Sequence, residues 1–323
     1  MNLDLDAYVT AAAFLADGYA FALGDGQVRF ETGQTAAHQG AILAAAAHPS
    51  GKGLVSGGDD GRLVWSQPGQ IQEITRLPGK WIDAVATSPF SGLIACAAGK
   101  EVHVFDSNDP AFHTAFAHEK SVAALAFDPK GRRLACATYG GAALWFARIA
   151  VQKPLFLKWA GSHIALAFSP DGKFLISSMQ ENQLHGWRLA DGKDMRMGGY
   201  PAKVRTLAFL AKGAAMATSG AGGAVIWPFG GANGPMGKEA AEVGFEEGVL
   251  VTAVAAAPDS TVIAAGLDDG RVWAMDAAKG KRVFVRADKG EAVSCLAVSP
   301  DGSRIAWGCE DGAAGVAATP SLS

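Results

Sequence analysis

One arrangement of apolar and polar positions recurs eight times along the chain. An apolar, often β-branched residue opens a short run in which small and larger apolar residues alternate, and a polar turn closes it. The clearest copies are VAALAFDPKG from Val122, IALAFSPDG from Ile164 and VSCLAVSPDG from Val293. Weaker copies begin at Val9, Ile42, Ile82, Val204 and Val251. Alternation with period two predicts a strand. The Pro of the turn, or its equivalent, falls at 16, 49, 89, 129, 170, 211, 258 and 300, so the period is near forty.

Two columns support this register. Four residues after the leading apolar position stand Ala13, Ala46, Ala86, Ala126, Ala167, Ala208, Ala255 and Ala297. Two residues earlier the side chain is again small, as at Ala44, Ala84, Ala124, Thr206 and Cys295. If these strands are the innermost of each repeat, neighbouring sheets converge there, and only small side chains fit at native packing density. A second apolar run follows each turn, then an Asp-Gly hairpin in several copies (Asp25-Gly26, Asp60-Gly61, Asp269-Gly270, Asp311-Gly312), then a third strand. Three or four short antiparallel strands per repeat, with no helical periodicity between them, predict the blades of an all-β propeller. Eight repeats predict eight blades, with seven as the alternative. The chain, 1–323, is expected to form one domain. Its first residues, 1–7, alternate Leu and Asp and are expected to complete the last blade and cover its open edge. The glycine-rich stretch 229–248 is expected to be a flexible loop between strands.

Composition narrows the class. Hydrophobic residues are 49 % and charged residues 18 %, which suits a folded core and excludes wholesale disorder. The net charge of −3 gives no basic footprint for nucleic acid. The 41 glycines are spread through the chain, as many tight turns require. Cys96, Cys136, Cys295 and Cys309 form no CxxC pair, and three sit in apolar runs, so they read as buried thiols. No apolar run reaches the roughly 18 residues of a membrane helix. The N-terminus begins with acids rather than the basic start of a secretory signal. A cytoplasmic location, with no membrane and no nucleic-acid partner, is therefore expected.

The residues resemble the WD-repeat (Trp-Asp repeat) β-propeller family. His38 precedes Pro49, and His118 precedes Pro129, by eleven residues, the spacing of that family from its Gly-His pair to its turn. The Trp-Asp position reads Phe105-Asp106, Trp187-Arg188 and Met275-Asp276, and Trp65, Trp145 and Trp227 lie in the same region. The resemblance implies a buried hydrogen-bonded set of His, Ser or Thr, Asp and Trp. Only the second repeat, with His38, Ser56, Asp60 and Trp65, comes close to it; the fourth keeps His118 without the Asp. The function implied is a non-catalytic scaffold for protein–protein interaction, a monomer or part of a hetero-complex, with no cofactor and no metal.

Catalytic motifs are absent. No phosphate loop joins a strand to a helix, and no Gly-x-Ser-x-Gly elbow occurs. An enzyme, or a ligand- or metal-binding propeller using the central channel, is the alternative function, although the first strands offer few acids or histidines for it. The rim offers more. Loops before the first strand and turns between the second and third strands share one face. They supply the expected partner-binding residues Trp81, Asp83, Tyr139, Lys203, Arg205, Asp59, Asp268 and Glu310. Repeats seven, eight, one and two gather acids on that face. Repeats three to six gather Lys, Arg and aromatics, a polarity suited to a complementary protein partner.

Overall fold

The computed structural model describes residues 1–322. Those residues form antiparallel strands throughout, and the one helical element among them is the single 3₁₀ turn Ala211–Gly213. The strands collect into seven hydrogen-bonded sheets, six of four strands and one of six. The described residues form two compact bodies, 13–168 and 1–12 with 169–322.

The second repeat shows the local logic. Ile42–Ala47, Leu54–Gly58, Arg62–Gln67 and Gln70–Arg76 pair in chain order. Each strand alternates, and tight turns return the chain. The Ser-Pro-Asp-Gly turns are built by their own side chains: Asp171 accepts the N–H of Lys173, and Ser169 Oγ accepts that of Phe174. Gly172 supplies the left-handed φ of +70° that the turn needs.

All eight alanines of the first column lie on the first strand of their repeat. The ladder register adds a feature not read from the sequence. Ala86 faces Ala95, Ala126 faces Ala135, Ala208 faces Ala217, Ala255 faces Ala264 and Ala297 faces Ala306. Those five partners are all fully buried. A small side chain thus opposes a small side chain, which is what close packing between sheets demands.

The expected eight separate blades are not what the ladders show; the seven sheets match the alternative count. The difference lies at repeats four and five. Repeat four turns through Tyr139-Gly140-Gly141 where an Asp-Gly hairpin is expected: Arg133–Phe146 folds back on itself there, with Ala147 N–H donating to Arg132 O at 2.9 Å and Thr138 Oγ1 to Gly141 O at 3.3 Å. In the next span, Leu155–Phe168, Ser162 stands opposite Tyr139, so the ladder runs on past that turn and the strands of the two repeats are counted in one six-stranded sheet. Gly140 and Gly141, at φ +92° and +144°, allow the turn.

Asn2–Asp4 pairs with Ala313–Ala318 as the outer strand of the last sheet. The stretch 229–248 contains the short strand Ala241–Val243, which pairs with Ala224–Pro228.

Candidate interaction surface

In both bodies, turns between second and third strands are hydrogen-bonded to the loops that lead into first strands. Ile82 N–H donates to Gly58 O and Val122 N–H to Gly99 O. Elsewhere Asp268 N–H donates to Leu250 O and Glu310 N–H to Ala292 O. These bonds hold the two kinds of loop at the same end of the strands.

In body 13–168, His38 lies at this end with its side chain fully buried. Its Nδ1 is 2.9 Å from Asp60 Oδ1 and its Nε2 is 2.8 Å from Ser56 Oγ. An ionised carboxylate only accepts, so Nδ1 carries the proton. Asp60 also accepts the backbone N–H groups of Gln39 and Arg62. Burial pushes the Asp60 carboxyl up, but the hydrogen bonds from His38, Gln39 and Arg62 outweigh it and hold the carboxyl below its ordinary value. Trp65 lies outside this set: its Nε1–H donates to Lys52 O, and its ring stacks on His48 at 4.0 Å. Burial lowers the His48 pKa to about 4.

His118 is wired differently. Position 140, which corresponds to Asp60, is Gly140, and position 136, which corresponds to Ser56, is Cys136. Trp145 Nε1–H donates to His118 Nε2 at 3.0 Å. An indole nitrogen only donates, so the proton of the neutral ring must sit on Nδ1. That Nδ1 is buried and has no hydrogen-bond partner among the described residues. Burial lowers the His118 pKa, and the nearby carbonyls of Lys100 and Phe116 offset part of the fall.

A cavity of about 560 Å³ opens beside this histidine. Thr138, Tyr139, Trp145 and Phe156 supply its apolar and aromatic wall, and Lys120, Lys158 and Glu119 are its charged members. Trp145 forms part of the wall because it is fixed by stacking on Phe116 at 4.5 Å. Tyr139 remains 64 % exposed on its corner, and Trp81 remains 66 % exposed on a separate turn. Lys80, beside Trp81, is ion-paired with Glu101. Asp59 sits over Gly40, where an added Cβ would lie 1.9 Å from its Oδ1 and would displace that carboxylate. Asp83 is exposed at the strand entrance, and partial burial pushes its carboxyl pKa up.

In the other body, Asp268 Oδ1 accepts the N–H of Leu250 at 3.0 Å, which commits that carboxylate to shaping its loop. Lys203 is half-buried, and Arg205 and Glu310 are exposed. Both Arg205 and Glu310 act on Tyr8: burial raises its phenol pKa first, Glu310 adds to the rise and Arg205 opposes it. The structure therefore brings Arg205 and Glu310 around Tyr8, while Trp81, Asp59 and Tyr139 stand on separate turns of body 13–168. The neighbouring acid Asp269 is already neutralised by Arg271 at 2.7 Å, so the acid-rich turns are interleaved with cations.

Sequence reasoning missed Tyr200. Its hydroxyl lies 2.6 Å from Thr218 Oγ1 and accepts Trp227 Nε1–H, also at 2.6 Å. Tyr200 precedes position 211 by eleven residues, the same offset as His38 and His118 from their turns. A tyrosine rather than a histidine fills that spacing, so it carries no histidine signal. Phe156 and Lys158 were missed because strand Leu155–Phe168 brings them to the cavity from a neighbouring segment.

Nucleophiles and metal ligands are not assembled. Burial pushes the Cys96 and Cys295 thiols up to about 12 and raises those of Cys136 and Cys309 as well. Among the described residues, no three His, Cys, Asp or Glu side chains gather as a metal site would need.

Comparison with known proteins agrees with this geometry. Residues 31–65 and 111–145 match the WD domain, G-beta repeat family; these segments hold His38 with its carboxylate and His118 with its indole. The chain is similar to the WD repeat domain phosphoinositide-interacting protein 2 of Gallus gallus, 37 % identical over 100 residues. The Mus musculus protein of the same name is 38 % identical over 95 residues. These matches cover 29 % and 28 % of this chain but only 23 % and 21 % of the relatives' length. In fold, the chain is similar to the crystal structure of the computationally designed Ika8 protein, with a TM-score of 0.77 and 20 % identity over 98 % of this chain and 97 % of that one. Two repeats matching the WD pattern, set in a chain built of in-phase antiparallel repeats, and similarity to WD-repeat proteins over part of their length support a likeness to the WD-repeat β-propeller family.

Proposed function

We propose that this protein is a non-catalytic, cytoplasmic platform that docks a protein partner on the loop end of its strands. Trp81, Tyr139, Asp59 and Asp83 would meet the partner from body 13–168; Lys203, Arg205, Asp268 and Glu310 would do so from the other. His38, Ser56, Asp60 and His118 serve that surface by holding its turns in place. The observation that carries this reading is the exposure of Trp81 and Tyr139, 66 % and 64 %, on turns whose backbones are otherwise hydrogen-bonded. Large aromatics held rigidly in solvent are what interface hot spots are made of, because they bury much area at little entropic cost. The experiment is affinity capture with the wild-type chain and with Trp81→Ala plus Arg205→Ala, at equal amounts of folded protein. Loss of the partner from the double variant is expected; equal recovery would refute the assignment.

A second reading comes from the relatives' names, contact with a phosphoinositide headgroup. Lys120 and Lys158 at the cavity favour an anionic ligand of some kind. Flotation with vesicles containing a phosphoinositide tests it. Binding that survives Lys120→Glu plus Lys158→Glu would place any such contact away from this cavity.

A further inference from the structure

A second exposed apolar surface lies in body 13–168, at the opposite end of the strands from Trp81 and Tyr139. Here first strands turn into second strands, and third strands into fourth. Phe90 stands in the turn after Ala84–Ser88, and Phe146 and Ile149 stand in the bend that follows the third strand of repeat four. They are 74 %, 54 % and 48 % exposed, and with Lys130, Arg132 and Arg148 they line one groove of about 410 Å³.

Polar bonds fix the walls of this groove. Arg148 Nη2–H donates to Ser91 O at 3.3 Å, which ties the Phe90 turn to the bend. Gln152 closes the bend on itself: its Oε1 accepts Phe146 N–H at 2.9 Å, and its Nε2–H donates to Phe146 O at 2.7 Å. The acids that touch the wall are already committed. Asp106 pairs with Arg148, and Asp128 pairs with Arg133 at 3.1 Å while accepting the N–H groups of Arg132 and Arg133. Lys130 and Arg132 are exposed and their side chains meet no carboxylate among the described residues.

We propose that this groove docks an acidic amphipathic segment of a protein partner. The segment seats a large apolar side chain between Phe90, Phe146 and Ile149, and its carboxylates face Lys130 and Arg132. Charge decides the sign of the partner: two unpaired cations border an apolar surface, where a carboxylate gains more from them than it would in bulk water. Shape decides its class. A membrane receives an apolar face rimmed by cations, whereas here the cations lie in the wall of a concave groove, the form that accepts a ridge of side chains. A preformed groove with exposed apolar walls also loses little entropy when it is filled. This face is separate from the docking platform proposed above and goes beyond it.

The test is selection of random dodecapeptides, displayed on phage, against the immobilised full chain. Affinities of the recovered peptides are read by fluorescence anisotropy with the wild type, with Lys130→Glu plus Arg132→Gln, and with Phe90→Ser plus Ile149→Ser. All these positions are exposed, so both variants are expected to melt with the wild type. The recovered peptides are expected to combine large apolar with acidic residues, and to bind each variant at least about ten-fold more weakly. Equal affinity for the three proteins, or peptides without acids, would overturn the site. Two further measurements decide the occupant. Flotation with phosphatidylcholine–phosphatidylserine vesicles that both variants abolish, with no groove-sensitive peptide recovered, would make the groove a membrane contact. Light scattering that shows a dimer dissociated by both variants would make it a contact between copies of this chain. Either result overturns the partner segment. Trp81→Ala plus Arg205→Ala is expected to leave peptide binding unchanged, so this site and the loop-end platform fail separately.

Discussion

Repeats two and four share a spacing but differ in what it holds. In repeat two, every polar atom of the His38 ring is matched: a carboxylate on one nitrogen and a hydroxyl on the other, with two backbone N–H groups donating to that carboxylate, Arg62 to Oδ1 and Gln39 to Oδ2. In repeat four the acid is Gly140 and the hydroxyl is Cys136, and the ring turns to an indole instead. The first arrangement closes a turn, whereas the second borders a cavity. Repeat six offers a third solution, with Tyr200 bridging Thr218 and Trp227 through one hydroxyl. The comparison teaches that the spacing is a structural slot, which different side chains can fill so long as the buried donors find acceptors.

The contrast can be broken most severely at Asp60. Asp60→Ala strips the acceptor from a fully buried histidine and from two backbone N–H groups, and is expected to cost about 3 kcal/mol, a fall of several degrees in Tm. A thermal scan showing no change would mean the set carries no stability. Tyr200→Phe leaves Trp227 Nε1–H without its acceptor and Thr218 with only its bond to Val225 O, and should cost about 1–2 kcal/mol, measured by urea unfolding at constant m-value.

A third variant sharpens the comparison directly. His118→Ala should destabilise by about 1 kcal/mol less than His38→Ala, because fewer buried partners lose their bonds. Equal losses would remove the distinction between the two repeats.

Acid titration gives a smaller effect. The Asp60 carboxyl is held below its ordinary value of 3.8, so its contribution is present above that value and is lost as pH falls through the lower folded-state one. Asp60→Asn should therefore flatten the acid limb of the stability curve below the ordinary aspartate range and nowhere else. Trp81→Ala plus Tyr139→Ala marks the small end of the scale. Both rings are solvent-exposed, so stability should change by less than about 0.5 kcal/mol, while partner recovery falls.

Much of this architecture was legible because packing leaves a periodic mark. The alanine column from Ala13 to Ala297 records where sheets approach, and the eleven-residue offsets of His38 and His118 record the turn slot. The number of separate sheets was not legible, because whether a ladder breaks between Tyr139 and Ser162 depends on backbone pairing between distant segments. The cavity was half legible: Tyr139 and His118 were in view, but Phe156 and Lys158 reach it only through the long strand Leu155–Phe168.

The sequence by itself determined that this protein is all-β and repeated about every forty residues, since alternation and turn residues act over a few neighbours and survive in any context. Only the tertiary structure decided which histidine meets a carboxylate and which meets an indole. That outcome depends on side chains about twenty residues or more apart meeting within 3 Å, as His38 does with Asp60 and His118 with Trp145.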